Sequence, residues 1–193
     1  SVAWNTGWAR IGLFGWKPRL LLERLDMSDV RDRDIVFYHD SDTAKYPEYL
    51  KGVSRWSGWL LRQMRSVDVL VFRDNRARFV SDTKPELWEK FFSEDEAGAL
   101  KHLWAGAIGV RKTPAGIEFI RKWDELAKDF ENLSPITRAH GEGYFSQHGP
   151  DQGILACLRH SRKTWPPGLR IAEVYLGGTR SIPPPRKPLR TRS

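Results

Sequence analysis

"DIVFYHDSDT", residues 34–43, is an apolar run that ends in two carboxylates one residue apart. Ile35 to Tyr38 read as a short strand of the kind buried in a parallel or mixed sheet. In a strand, residues i and i+2 project to the same side, so Asp40 and Asp42 converge at its carboxyl end. Ligand sites in open α/β sheets cluster at that end. Two hard carboxylate oxygens there favour Mg2+ or Mn2+. A capped polar turn uses the same residues, and from this stretch alone both readings stand. His39 points opposite to the two aspartates and is expected to pack.

Around this stretch the chain reads as one α/β domain. Its 193 residues, 40% hydrophobic with nine tryptophans, suffice for a genuine core. "VDVLVF", "GAIGVRK" and "RIAEVYLG" give three more strands. Pro18 at a first helical position, followed by Leu20, Leu21, Leu22 and Leu25, predicts a short amphipathic helix. Residues from Pro47 to Met64 keep helical spacing, broken into two pieces by Gly52 and Gly58. Thr83 precedes a helix carrying Leu87, Trp88, Phe91 and Phe92. Thr113 caps a long helix from Pro114 with Ile117, Ile120, Trp123, Ala127 and Phe130 on one stripe. Residues 131–149 read as a long loop, and Pro150 opens a last helix, "PDQGILACLRH". Strands alternating with helices predict an α/β sandwich over residues 1–177.

Charge and cysteine use narrow the classes. The net charge is +8, and five basic residues follow the last acid, Glu173: Arg180, Arg186, Lys187, Arg190 and Arg192. Residues 178–193 are therefore expected to be a disordered, Pro-rich basic tail suited to anionic headgroups at a membrane surface. That tail has no interleaved aromatics, so nucleic acid is not an expected partner. No apolar run reaches the roughly 18–20 residues of a membrane span, and no signal peptide is read at the start. Cys157 is the single cysteine, so no internal disulfide forms; within "GILACL" it is expected to be a buried, inert thiol. A cytoplasmic location, peripheral to the inner face of a membrane, follows as the expectation.

Two enzyme classes share the Asp-x-Asp signature. "DSDT" shares the Asp-x-Asp, with a threonine one place early, of the Asp-x-Asp-x-Thr of haloacid-dehalogenase-like phosphatases, where the first Asp attacks phosphorus. That chemistry needs a later acidic pair after another apolar strand, and "AIGVRKT" ends in base and hydroxyl instead. The other class agrees at five places in order across residues 12–160. "GLFGWKP", "DIVFYHDSD", "VSDTKPELWEKF", "LWAGAIGVRKTPAGIEFIRKW" and "HGPDQGILACL" resemble successive segments of metal-dependent nucleotide-sugar glycosyltransferases of the GT-A fold, those of bacterial capsule and polysaccharide synthesis. The resemblance implies a GT-A-like (Rossmann-like) mixed sheet flanked by helices. The N-terminal strand and helix of that fold are not read before Trp4.

The same resemblance implies roles. Asp40 and Asp42 would hold Mn2+ or Mg2+ bridging the diphosphate of the donor, with His148 as a third ligand. Trp16, Lys17, Asp40 and Lys84 would serve the donor, Lys17 as a point charge for the diphosphate and Trp16 as a pocket wall. Core packing is the plainer alternative for Trp16, and a solvated surface position for Lys84. Trp104, Ala105, Gly106 and Gln152 would line the sugar or acceptor pocket, with small residues letting sugar approach the backbone. Asp151 would be the catalytic base or anchor at the acceptor hydroxyl, or simply a helix cap. His102 and His160 match no motif and are read as structural. The activity implied is sugar transfer from a nucleotide-diphosphate donor to a saccharide or glycoconjugate acceptor. A non-catalytic binding domain of the same fold is the alternative.

Overall fold

The computed structural model describes residues 9–40, 58, 60–134, 136–137, 143–144 and 149–175. Asp42, His148, the tail 178–193 and most of the helical pieces expected from Pro47 lie outside the described residues. The strands are β1 (Ile35–His39), β2 (Val69–Arg78), β3 (Lys101–Arg111), β4 (Ile136–Thr137), β5 (Gly143–Tyr144) and β6 (Ile171–Tyr175). The helices are α1 (Ala9–Asp26), α2 (Phe79–Asp82), α3 (Pro85–Trp88), α4 (Glu94–Ala99), α5 (Pro114–Lys128), α6 (Phe130–Leu133) and α7 (Pro150–His160), with a further helical turn at 60–64. The fold is mixed α/β.

Its main sheet runs in the order β1-β3-β2-β6, with β1 and β2 antiparallel to β3 and β6 parallel to β2. Each face is closed by helices. On one face Val69, Val71, Ile108 and Val110 meet Leu21 and Leu25 of α1, Phe119 and Trp123 of α5, and Ile154 and Leu155 of α7. On the other, Leu70, Phe72, Ala107 and Val174 meet Leu60 and Met64. Burial of each such large side chain contributes about 1.5–3 kcal/mol, which orients both layers against the sheet. Among the described residues no helix is long and apolar enough to cross a membrane.

Several elements follow from local chemistry as read. Thr113 Oγ1 accepts from the Gly116 N–H and donates to Asp68 Oδ1 at 2.9 Å, so the cap of α5 is also tied to the sheet. Pro150 stands in the first turn of α7. Cys157 is fully buried and its thiol is pushed well above the usual range by that burial.

Other expectations are corrected. Helix α1 starts at Ala9 and carries Pro18 inside it, where the missing N–H interrupts the ladder without ending the helix. Phe91 and Phe92 follow α3 in a turn, because Ser93 and Glu96 form a capping box that starts α4. Phe130 leaves the α5 stripe and is exposed. The stretch after it is not all loop, since α6 and the antiparallel β4–β5 ribbon lie within it. Strand β1 is half-buried rather than fully buried, because β3 is its single neighbour in the described sheet. His39 is exposed, its Nδ1 3.3 Å from the Asp40 carbonyl, and does not pack in the core.

Strand β3 contains the irregularity that matters for the site. Val71 pairs with Ile108 and the next residue, Phe72, pairs with Trp104, so residues 105–107 bulge against β2. The bulge reverses the alternation of faces. Leu103 and Ala105 look to the α1/α5/α7 side, as do Ile108 and Val110, while Trp104 and Ala107 look to the other. Bulges of this kind re-aim groups beside functional sites.

Candidate functional site

A lysine between two aspartates forms the site, each residue supplied by a different element. On α1, Lys17, Leu21 and Leu25 are spaced by four, so the lysine shares the inward face of the helix and is 2% exposed. Gly15 permits the approach: a Cβ there would sit 2.9 Å from Leu133 Cδ1 and 3.3 Å from the Ala127 carbonyl. Asp40 follows β1, with its N–H bonded to the Gly106 carbonyl at 2.8 Å. Asp151 is in the first turn of α7, where the helix dipole favours an anion, and is 3% exposed.

The Lys17 Nζ donates to Asp151 Oδ2 at 2.6 Å, to Asp40 Oδ2 at 3.1 Å and to the Ala105 carbonyl at 3.4 Å. Among the described residues it thus has three acceptors, as many as an ammonium has N–H bonds. Tyr38 Oη donates to the other oxygen of Asp40, so both carboxylate oxygens are oriented. The Lys17 ammonium lies 5.8 Å from the Tyr38 ring centre, and Trp16 meets the same ring edge-on at 5.9 Å. The two acids differ in access. The Asp40 side chain is 28% exposed and that of Asp151 only 4%. Burial pushes the Asp151 carboxyl up from its ordinary value, and the charge and hydrogen bond of Lys17 pull it back.

The structure therefore brings Lys17, Asp40 and Asp151 together, residues 23 and 134 positions apart in the chain. Trp16 is 41% exposed, against a core position, and stands over Tyr38 at the edge of the cluster. Lys17 faces inward to two carboxylates rather than outward as a free point charge for a diphosphate. Gln152 is half-buried beside Asp151.

Of the four residues read as a sugar pocket, the strand residues Trp104 and Ala105 do not share a side. Ala105 belongs to the helix-covered face, with its carbonyl on Lys17, whereas Trp104 belongs to the opposite face against Phe72. Gly106 is not open to sugar either, because the Trp104 ring lies over it: a Cβ at Gly106 would fall 2.3 Å from Cε2 and Cζ2 of that ring. Lys84 is buried rather than solvated, and burial lowers its pKa. Among the described residues the charges that act on it are Glu86, Glu131, Lys90 and Asp129, outside the Lys17 cluster. His102 and His160 are structural as read: a His102 ring nitrogen contacts the Leu103 carbonyl and His160 the Lys101 carbonyl, both at 2.8 Å.

Tyr38 is the member of the cluster that the sequence reading did not single out. Its signal was present, since it precedes Asp40 by two and so projects to the same side of β1.

For a hard divalent ion, Asp40 fits as a ligand. It lies past the end of β1, its side chain is partly open to solvent, and a carboxylate is the hard oxygen donor such an ion takes. Among the described residues no group of three His, Cys, Asp or Glu side chains gathers to complete such a site. Two surface hollows, of about 300 and 470 Å³, are lined by other residues and include neither aspartate. No family model, curated protein or solved structure matches the chain.

Proposed function

We propose that this protein is a metal-dependent glycosyltransferase of the GT-A type, moving a sugar from a nucleotide-diphosphate donor to a saccharide or glycoconjugate acceptor. The observation that carries the reading is the convergence of Lys17, Asp40 and Asp151. They come from three of the five segments whose order resembles such enzymes, and they meet within 3.1 Å of one ammonium. The mixed sheet supports it too, with Asp40 just past the carboxyl end of β1.

In this reading Asp40, with Asp42 and His148, would hold Mn2+ or Mg2+. The bound ion would supply charge neutralisation to a departing nucleoside diphosphate. The chain's own residues prepare that chemistry. Tyr38 and Lys17 fix the Asp40 carboxylate, one at each oxygen, so its orientation is set before a ligand arrives. Asp151 holds the ammonium from behind. Burial makes Asp151 an anchor of the cluster more readily than a base at an acceptor hydroxyl. Trp16 offers an exposed aromatic face beside the cluster, suited to the C–H face of a sugar or to a base.

The same burial of Asp151 favours, as a second reading, a non-catalytic binding domain of this fold. Nucleoside diphosphate release from UDP- and GDP-sugars in Mn2+, with and without saccharide acceptors, separates the two. Release that is lost in Asp40→Asn supports the enzyme. Saturable donor binding without release supports the binding domain. Phosphate release from a simple phosphomonoester would replace both with a phosphatase.

A further inference from the structure

Building on the metal-binding reading of Asp40, we infer that Lys17 is the resident counter-cation of that carboxylate. A divalent ion reaches Asp40 by displacing the Lys17 ammonium, which Asp151 then retains. Lys17 is thus a positioning residue that sets how tightly the site takes its metal.

Three observations carry this. First, one ammonium bridges both acids, and its shorter bond is to the enclosed one: 2.6 Å to Asp151 against 3.1 Å to Asp40. Second, access is graded in the opposite sense, since Asp40 is the solvent-facing member and Asp151 is closed off. An incoming ion therefore meets the weaker of the two pairs. Third, the ammonium and a divalent ion cannot share Asp40 Oδ2 without strong repulsion, because both would lie within a few ångström of one oxygen. On leaving Asp40 the ammonium keeps Asp151 and the Ala105 carbonyl as acceptors, so it is not stranded in the interior. Tyr38 continues to orient Asp40 through the other oxygen.

The test is Mn2+ binding alone, read from the paramagnetic resonance of the free aqua ion. It compares the wild-type chain, Asp40→Asn, Asp151→Asn and the double variant Lys17→Met/Asp151→Asn. The double variant removes one positive and one negative charge, so it leaves the net charge of the cluster unchanged while taking the ammonium off Asp40 Oδ2. The ammonium that contacts Asp40 is the nearer of the two lost charges, so its repulsion outweighs the lost attraction of Asp151, and Mn2+ is expected to bind more tightly than to wild type, by up to about tenfold. Asp151→Asn removes the enclosed carboxylate that would retain the ammonium, and is expected to bind at least about threefold more weakly. Circular dichroism verifies folding; should the double variant not fold, Asp151→Asn decides alone. Equal affinity in wild type and the folded variants overturns the displacement. If wild type binds no Mn2+, or binds it as Asp40→Asn does, the metal reading itself fails and the displacement falls with it.

Discussion

Replacing Lys17 by methionine removes the ammonium while keeping the length of the side chain, and the cost follows from which acid is left behind. Asp40 is partly exposed, and water can take over much of the lost interaction there, as at other exposed pairs. Asp151 is enclosed and would keep a carboxylate with its nearest positive charge gone. Breaking a buried pair on one side costs about 3–5 kcal/mol. For a chain of this size each kcal/mol moves Tm by about 2–4 °C, so a fall of about 6–20 °C is expected at neutral pH. Scanning calorimetry with circular dichroism measures it. Lys17→Met/Asp151→Asn should recover at least half of the loss, because no buried charge remains unpaired. A Lys17→Met variant within about 1 kcal/mol of wild type, or a double variant no better than the single one, would refute the buried pair as drawn.

Three further perturbations test the surroundings of the cluster. The Asp151 carboxyl is raised by burial, so between its unfolded value near 3.8 and its higher folded value the native state holds the extra proton. Stability attributable to this group must therefore fall as pH rises through that window, and Asp151→Asn should lack the slope in urea titrations across acidic pH. A slope of the other sign would show a carboxylate stabilised by folding. Gly106→Ala places a methyl 2.3 Å from the Trp104 ring and should cost about 1–3 kcal/mol in urea unfolding. Much of that should disappear in a Trp104→Ala background. Thr113→Ala removes both the cap to Gly116 and the bond to Asp68, and should cost about 1–2 kcal/mol by the same assay.

Where the sequence could be read correctly, a local rule decided the outcome. Thr113 before Pro114 and the apolar period after it gave α5, Pro150 gave α7, and the apolar runs gave the four strands of the sheet. Tertiary context decided the rest. Lys17 is buried because it falls on the stripe of Leu21 and Leu25, a position that periodicity assigns to an apolar residue. The two carboxylates that make this tolerable lie far along the chain. The small residues at 105 and 106 looked like room for a sugar, and no local rule announced the bulge that re-phases β3 or the Trp104 ring that covers Gly106. Leu20 belongs to the leucine run after Pro18 and Trp16 suits a core by its size, but α1 turns Lys17 and Leu21 inward and leaves Leu20 and Trp16 exposed.

Binding of nucleotide-diphosphate sugars with and without Mn2+, measured by calorimetry on wild type, Asp40→Asn and Asp42→Ala, tests the glycosyltransferase reading most directly. A UDP- or GDP-sugar should bind wild type only when the metal is present, and binding should be lost in both variants. Donor binding that is indifferent to metal and to both substitutions would contradict a diphosphate site built on these carboxylates.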